Sequence, residues 1–181
     1  MIKKIYGKIE NFTSAKSIWL SFALFITVFV LVNFVFTSKM SYLTQTFNYS
    51  SDKAYNMLTS YGNEGRTRHL LVLISDIFMI ISYTIFLTTA ITATFKRFLS
   101  PKNPILYINL LPLILAMLQS LEIIGVFIML VSYPTNVSII AQITNIITML
   151  KITLTYICFV LPIIGLIGMA FKPIFTRLTH N

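Results

Sequence analysis

The stretch from residue 104 to 131, PILYINLLPLILAMLQSLEIIGVFIMLV, is apolar along nearly its whole length and contains one acid, Glu122. At a rise of about 1.5 Å per residue it forms a helix of roughly 42 Å, longer than the roughly 30 Å of a membrane's hydrocarbon layer. Glu122 lies roughly 13 Å inside the end at Val131 on the same rise. An acid at this depth needs partners, because an isolated charge in lipid is costly.

Composition places the whole chain among polytopic membrane proteins. Of its 181 residues, 56% are hydrophobic and only 10% are charged, which is outside the usual range of soluble proteins. The formal charge of +9 does not indicate nucleic-acid binding, because the basic residues punctuate apolar runs. The single cysteine, Cys158, excludes an internal disulfide and a CxxC redox or zinc motif.

Three further apolar runs predict an all-α fold, an integral membrane four-helix bundle that forms a single domain over residues 1–181. Pro112 predicts a kink in the third span, and Pro162 allows a bend in the fourth. The fourth run begins at Val137 and is too long to cross untilted, so its first turns are expected at the membrane surface. Residues 1–16 fit either a short surface helix or a basic tail. The predicted spans cover about 17–37, 70–95, 104–131 and 143–171.

Basic residues are distributed unevenly between the two ends of these spans. Nine flank the side that holds both termini and the 96–103 link, and four flank the external segment 38–69. By the positive-inside rule, both termini are expected in the cytoplasm of a multi-pass cell-membrane protein. The nine are Lys3, Lys4, Lys8, Lys16, Lys96, Arg97, Lys102, Lys172 and Arg177, and the four are Lys39, Lys53, Arg66 and Arg68.

The external segment contains a short amphipathic helix, predicted over residues 52–61. Ser51 and Asp52 favour its start, Gly62 favours its end, and Gly65 allows a second bend before the next span. Its apolar face includes Tyr55, Leu58 and Tyr61. If this face turns towards the bundle, these three residues form a lid over a cavity; if it meets lipid, the helix only anchors the loop.

The predicted site is a trio of charged residues in three different spans, Asp76, Glu122 and Lys151. With the topology above, all three fall in the outer half of the membrane, Asp76 at a depth of roughly 9 Å. Polar residues share their helix faces and complete the predicted ligand-binding set: Gln119, Tyr83, Thr148 and Thr155. The alternative is that these groups only hold the helices together, as polar side chains do in many membrane proteins.

The trio does not balance in charge, since it contains two acids and one base. One acid is therefore a candidate proton acceptor or a docking point for a cation. Alternatively, Arg66, Arg68 or His69 could supply the missing positive charge from the membrane surface, where side chains of these types commonly act as interfacial anchors.

The same residues form a pattern that covers most of residues 55–155. It resembles an uncharacterised family of small four-span prokaryotic integral membrane proteins. The resemblance implies that Asp76, Glu122 and Lys151 belong to one site, and it implies no activity. Members of this family tend to have proline near Ile80 and asparagine at the position of Ile123, and this chain has neither. The pattern consists of Tyr61, Gly62, Gly65, Arg66, Asp76, Tyr83, Glu122, the Tyr133-Pro134 turn, Thr148 and Lys151.

Three functions are compatible with these features. The first is an outer-leaflet polar cavity that binds or transports a small polar or amphiphilic ligand. The second is a structural partner or immunity-type subunit, with the trio as helix glue. The third is an intramembrane lipid-modifying enzyme that uses an acid as general base.

Common enzyme motifs are absent from the chain, and it contains only two histidines, so we expect neither a metal site nor a cofactor and lean away from an enzyme. The expected partners are membrane lipid and a small molecule, with homo- or hetero-oligomers left open and nucleic acid excluded. Without an inverted repeat, a monomeric alternating-access carrier is disfavoured.

Overall fold

The computed structural model describes residues 13–36, 42–97, 99 and 103–178. Within them the chain is helical and contains no β-strand, which confirms the predicted all-α fold. The surface helix considered for residues 1–16 lies almost wholly outside the described residues. The α-helices are α1 (Ala15–Phe36), α2 (Ser51–Ser60), α3 (Gly62–Phe95), α4 (Leu111–Ser132) and α5 (Ser138–Leu178), with 3₁₀ segments at Leu43–Gln45 and Pro104–Leu110.

Four of these helical segments are long and apolar enough to cross a membrane, which makes the chain a multi-pass membrane protein. The apolar stretches run over Ala15–Phe34, Gly62–Phe95, Pro104–Ser132 and Ser138–Phe171. They match the four predicted spans in number and order. The second starts eight residues before the predicted position 70, and the fourth starts five residues before position 143.

Helix α3 is central to the bundle, because it packs against α1, α4 and α5. Helices α4 and α5 also pack on each other, whereas α1 packs mainly on α3. Gly125 of α4 explains the close approach of α4 and α5: a Cβ atom there would collide with the Thr144 side chain of α5. Small residues allow such close backbone contact between membrane helices.

The junction of α2 and α3 differs from the sequence prediction in one detail. Gly62 has a positive φ of 64° and ends α2, as predicted. Gly65 does not form a second bend, because it lies inside α3. The polar residues around it continue the helix, and Glu64 pairs with Arg68 one turn later at 2.8 Å.

Neither predicted proline distortion interrupts a helix. Pro112 lies in the first turn of α4, directly after the 3₁₀ segment. Its missing N–H costs nothing there, so it begins a helix and does not kink one. Pro162 lies within α5, which is assigned as continuous from Ser138 to Leu178.

Helix α2 turns its apolar face towards the bundle. Its N-cap is Ser50, whose hydroxyl accepts a hydrogen bond from the Lys53 amide at 3.2 Å, one residue before the predicted start. Leu58 is fully buried in a cluster that includes Val126 of α4 and Ala141 of α5. We call this end of the bundle, where residues 42–61 lie, the loop end.

Candidate functional site

A buried ion pair joins α4 and α5 near the loop end. Glu122 is fully buried, and its Oε2 accepts a hydrogen bond from Lys151 Nζ at 2.8 Å. Its Oε1 accepts from the Thr148 hydroxyl at 2.6 Å. Lys151 also donates to the backbone carbonyl of Thr44 at 2.7 Å. Both carboxylate oxygens therefore have a donor, and the lysine ties the loop-end 3₁₀ segment to the helices.

Helical spacing accounts for this arrangement. Thr144, Thr148, Lys151 and Thr155 recur at steps of four, three and four, so they share one face of α5. The Thr144 hydroxyl donates to the Ile140 carbonyl one turn earlier, at 2.7 Å. The single hydrogen of the Thr148 hydroxyl is directed at Glu122, the shorter of its two contacts, and the Thr144 carbonyl lies 2.9 Å from the same oxygen. Threonine can thus satisfy its own donor and still lie at a tight helix contact. Lys151 meets Glu122 because this face packs on α4.

Asp76 does not join this ion pair. Within the described residues it makes neither a hydrogen bond nor an ion pair, although Lys151 and Glu122 are close enough to act on it electrostatically. Its side chain borders a cavity and is only partly buried. The predicted trio is therefore a closed pair with a separate acid nearby.

The cavity beside Asp76 has a volume of about 720 Å³ and is bordered by all four spans and by residues 42–47. Volumes of this size are typical of small-molecule sites. Its polar part includes Tyr83, which donates a hydrogen bond to Gln119 Oε1 at 2.9 Å. Its lining residues are Phe25, Phe29, Val32, Asn33, Tyr42, Thr44, Gln45, Phe47, Val72, Asp76, Met79, Tyr83, Leu115, Gln119, Lys151, Ile152, Thr155, Tyr156 and Phe159.

Five of the predicted ligand-binding residues border this cavity: Asp76, Tyr83, Gln119, Lys151 and Thr155. The other two, Glu122 and Thr148, lie behind Lys151 and do not border it.

The three predicted lid residues face the bundle but do not border the cavity. Tyr55 and Leu58 are buried, and Tyr61 is partly buried against them. The Tyr55 hydroxyl accepts a hydrogen bond from the Val137 amide at 2.8 Å, which fixes α2 to the start of α5. The lining near the loop end is made instead by residues 42–47.

Sequence reasoning missed the contribution of α1. Phe25, Phe29, Val32 and Asn33 share one helix face and border the cavity. Asn33, an amide within an otherwise apolar stretch, is the available signal. Its amide nitrogen donates to the Phe29 carbonyl at 2.7 Å, and its oxygen accepts no hydrogen bond from the described residues. The aromatic residues gave no signal, since phenylalanine is common on any membrane helix.

His69 is not a surface anchor, contrary to the prediction from its position. It is fully buried, and the centre of its ring lies 4.8 Å from the centre of the Tyr42 ring and 5.6 Å from that of the Tyr61 ring. Neither ring nitrogen has a hydrogen-bond partner in the described part of the chain. The sequence analysis grouped His69 with Arg66 and Arg68 as anchors at the membrane surface. In the structure, His69 lies on the face of α3 that points into the bundle.

The two arginines do not compensate Asp76 either. Arg66 lies 4.1 Å from the centre of the Tyr133 ring and donates to the Leu58 carbonyl at 3.1 Å. Arg68 is exposed and pairs with Glu64. In the described ranges, neither forms an ion pair with Asp76.

The tyrosines of the loop end add hydroxyl groups without adding charge. Burial raises the pKa of Tyr49 to about 12, and burial also raises the pKa of Tyr61. Both phenols therefore stay protonated near neutral pH. The Tyr49 amide donates to the Asn145 side chain at 2.8 Å, a further link between the external segment and α5.

The described residues contain no group of three histidine, cysteine, aspartate or glutamate side chains arranged to hold a metal ion. Comparison of the chain with protein-family models, curated proteins and solved structures finds no match. The family resemblance noted above therefore stays a prediction. The site itself offers a carboxylate, an amide and hydroxyl groups beside a wall of apolar and aromatic side chains, a combination suited to recognising a molecule with one polar and one apolar end.

Proposed function

We propose that this protein binds a small amphiphilic molecule, with its polar end beside Asp76 and its chain between α1 and α5. One observation supports the proposal above the others: a single cavity contains both an unpaired acid and an extended apolar wall. Phe25 and Phe29 of α1 and Phe159 of α5 contribute to that wall. A partly buried carboxylate without a protein partner has lost some of its hydration without replacement, so a ligand that supplies a partner would bind favourably.

The arrangement of the helices supports a lateral route from the lipid layer. Helix α1 packs mainly on α3, and it meets α5 through the rings of Phe25 and Phe159, whose centres are 5.9 Å apart. The other lining residues of these two helices lie towards the loop end from this contact. Tyr156 is 71% exposed and Phe29 is 45% exposed. An acyl chain could therefore pass between α1 and α5 without crossing the polar loop.

The Glu122–Lys151 pair has a supporting role in this proposal. Its hydrogen bonds hold α4, α5 and the Thr44 carbonyl together, and so they fix one wall of the cavity. The helix-glue alternative then applies to this pair, whereas binding applies to Asp76. Four spans with no inverted repeat favour binding over alternating-access transport by one subunit.

The topology belongs to the same proposal: both termini in the cytoplasm and the loop end outside the cell membrane, so that the cavity opens to the outer leaflet. Its basis is the excess of basic residues near the termini and the 96–103 link. Single cysteines at Asp52 and Thr135, in a Cys158→Ala background, should react with an impermeant thiol reagent in intact cells. A cysteine at Ser100 should react only after lysis; its labelling in intact cells would reverse the orientation.

Binding can be tested with four dodecyl amphiphiles that differ only in their heads: dodecylamine, dodecanol, dodecanoate and dodecyl phosphate. Each is measured at equilibrium with the protein in nanodiscs, after subtraction of empty nanodiscs. At least one should bind saturably. Val32→Trp fills the cavity and should abolish that binding. Val30→Trp is the matched control, because Val30 lies outside the lining and is 54% exposed.

Two results would refute the proposal. One is the absence of saturable binding for all four compounds. The other is equal binding by the two tryptophan variants, which would show that the compounds bind elsewhere on the protein.

A further inference from the structure

We infer that the polar end of the ligand is a cationic amine that pairs with Asp76. This inference rests on the proposed binding of an amphiphile and adds the chemical class of its head. It follows from the balance of charge around the cavity and from the groups that surround the acid.

Among the described residues that border the cavity, the two with charged side chains are Asp76 and Lys151. Lys151 is already paired with Glu122 at 2.8 Å, so these two charges cancel. Asp76 has no such partner in the described part of the chain. The site therefore has one uncompensated negative charge when Asp76 is ionised, and a cation is the ligand group that would balance it.

An anionic head would meet weaker recognition here. Two of the three donors on the Lys151 ammonium are used, one by Glu122 and one by the Thr44 carbonyl. One N–H is left, and an anion bound to it would lie near the charge of Asp76. An anionic ligand would thus be limited to this one N–H of an ammonium group that Glu122 already neutralises, and it would have to overcome repulsion from Asp76.

Other groups that border the cavity suit an ammonium group as well. Tyr83 donates to Gln119 Oε1, and the amide oxygen keeps a second lone pair that can accept from an amine. Aromatic rings border the same space, including those of Phe29, Tyr42 and Tyr156. Ring faces attract cations, and this attraction is larger where water is excluded. A carboxylate, an amide oxygen and ring faces are together complementary to an amine.

The test uses the same four dodecyl compounds in nanodiscs, with ethylamine added as an amine that lacks the chain. Dodecylamine should bind the wild-type protein most tightly of the four. In Asp76→Asn its affinity should fall about ten- to a hundredfold, as expected for the loss of a charge-assisted hydrogen bond, while dodecanol binding should change little. Asp76→Glu keeps the charge and should retain the preference for the amine.

The outcomes separate this inference from the proposed function. If one compound binds but dodecanol or an anion binds as tightly as dodecylamine, the amine assignment is wrong and the cavity proposal stands. If Asp76→Asn keeps the full amine preference, Asp76 is not the partner and the inference also fails. If no dodecyl compound binds, or if ethylamine competes as well as dodecylamine, the amphiphile proposal itself fails. Circular dichroism of both Asp76 variants should match the wild type, so that a lost preference is not lost folding.

Discussion

Two carboxylates lie in the same half of this helical bundle, and their surroundings differ. Glu122 is fully buried and has a donor on each oxygen, from Thr148 and Lys151. Asp76 borders a cavity and has no hydrogen bond or ion pair within the described residues. The first acid is satisfied by the protein, whereas the second has room for a partner from outside.

The difference shows why an acid in a membrane helix does not indicate function by itself. The sequence places Glu122 deeper in its span than Asp76 but does not indicate which of the two acids is the functional one. In the structure, both oxygens of the Glu122 carboxylate accept hydrogen bonds from α5, and Gly125 one turn away lets α5 approach closely. What marks a ligand site is therefore an acid without a partner and with space beside it.

The largest effect is expected from Lys151→Met, which leaves Glu122 buried without its base. Removal of one member of a buried pair costs about 3–5 kcal/mol. The loss of the bond to the Thr44 carbonyl should also loosen the external segment. The free energy of unfolding, measured by titration with SDS in mixed micelles, should fall by about 3 kcal/mol or more. Lys53→Met, at an exposed lysine of α2, should change it little.

The double variant Glu122→Gln with Lys151→Met tests whether the two charges interact. It removes both charges at once and should recover a large part of the loss, giving a coupling well above the error of the cycle. Strictly additive effects would show that Glu122 does not depend on Lys151, and the contrast with Asp76 would disappear.

A smaller loss is expected from Gly125→Ala. The added methyl group would collide with the Thr144 side chain, so α4 and α5 must separate or repack. Such overpacking typically costs about 1–3 kcal/mol in the same unfolding titration. Combination with Thr144→Ala removes the hydroxyl and methyl groups that collide and should restore part of the stability. If Gly125→Ala is neutral by itself, the close approach of α4 and α5 at Gly125 does not contribute to stability.

The fold was predictable from the sequence because it depends on long apolar runs and on their length relative to a bilayer. The four spans follow from these patterns, and the short amphipathic helix α2 ends at Gly62 as expected. The sequence left open whether the apolar face of α2 meets the bundle or lipid, and the structure shows that it meets the bundle. The start of α3 was not predictable by hydropathy, because its first turns contain Glu64, Arg66 and Arg68 and are stabilised by an i,i+4 pair instead of by lipid. The role of Pro112 depended on a 3₁₀ segment that leaves no clear pattern in the residues before it.

The site was predictable only in part. Charges in apolar runs are costly without partners, so the sequence predicted that Glu122 and Lys151 meet, and the structure shows this pair. That Asp76 would stay apart could not be deduced, since helical spacing gives the face of a residue but not its distance from another helix. The contact of residues 42–47 with Lys151 could not be predicted either. It is made by the backbone carbonyl of Thr44, and because every residue has a backbone carbonyl, the sequence does not show which one accepts the hydrogen bond.

The smallest effect on stability is expected from Asp76→Asn, and it tests the comparison most directly. This change and Glu122→Gln are chemically matched, since each replaces a carboxylate by an amide of nearly the same shape. Glu122→Gln leaves Lys151 as an uncompensated charge in a buried position and should destabilise the protein by several kcal/mol, as expected when one member of a buried pair is lost.

Asp76→Asn breaks no contact seen among the described residues, so the free energy of unfolding should stay within about 0.5 kcal/mol of wild type, or rise because a desolvated acid has been removed. An equal loss in both variants would mean that Asp76 has a protein partner in the folded state. In that case the cavity would lose its unpaired acid, and the reason for expecting a cationic ligand would be gone.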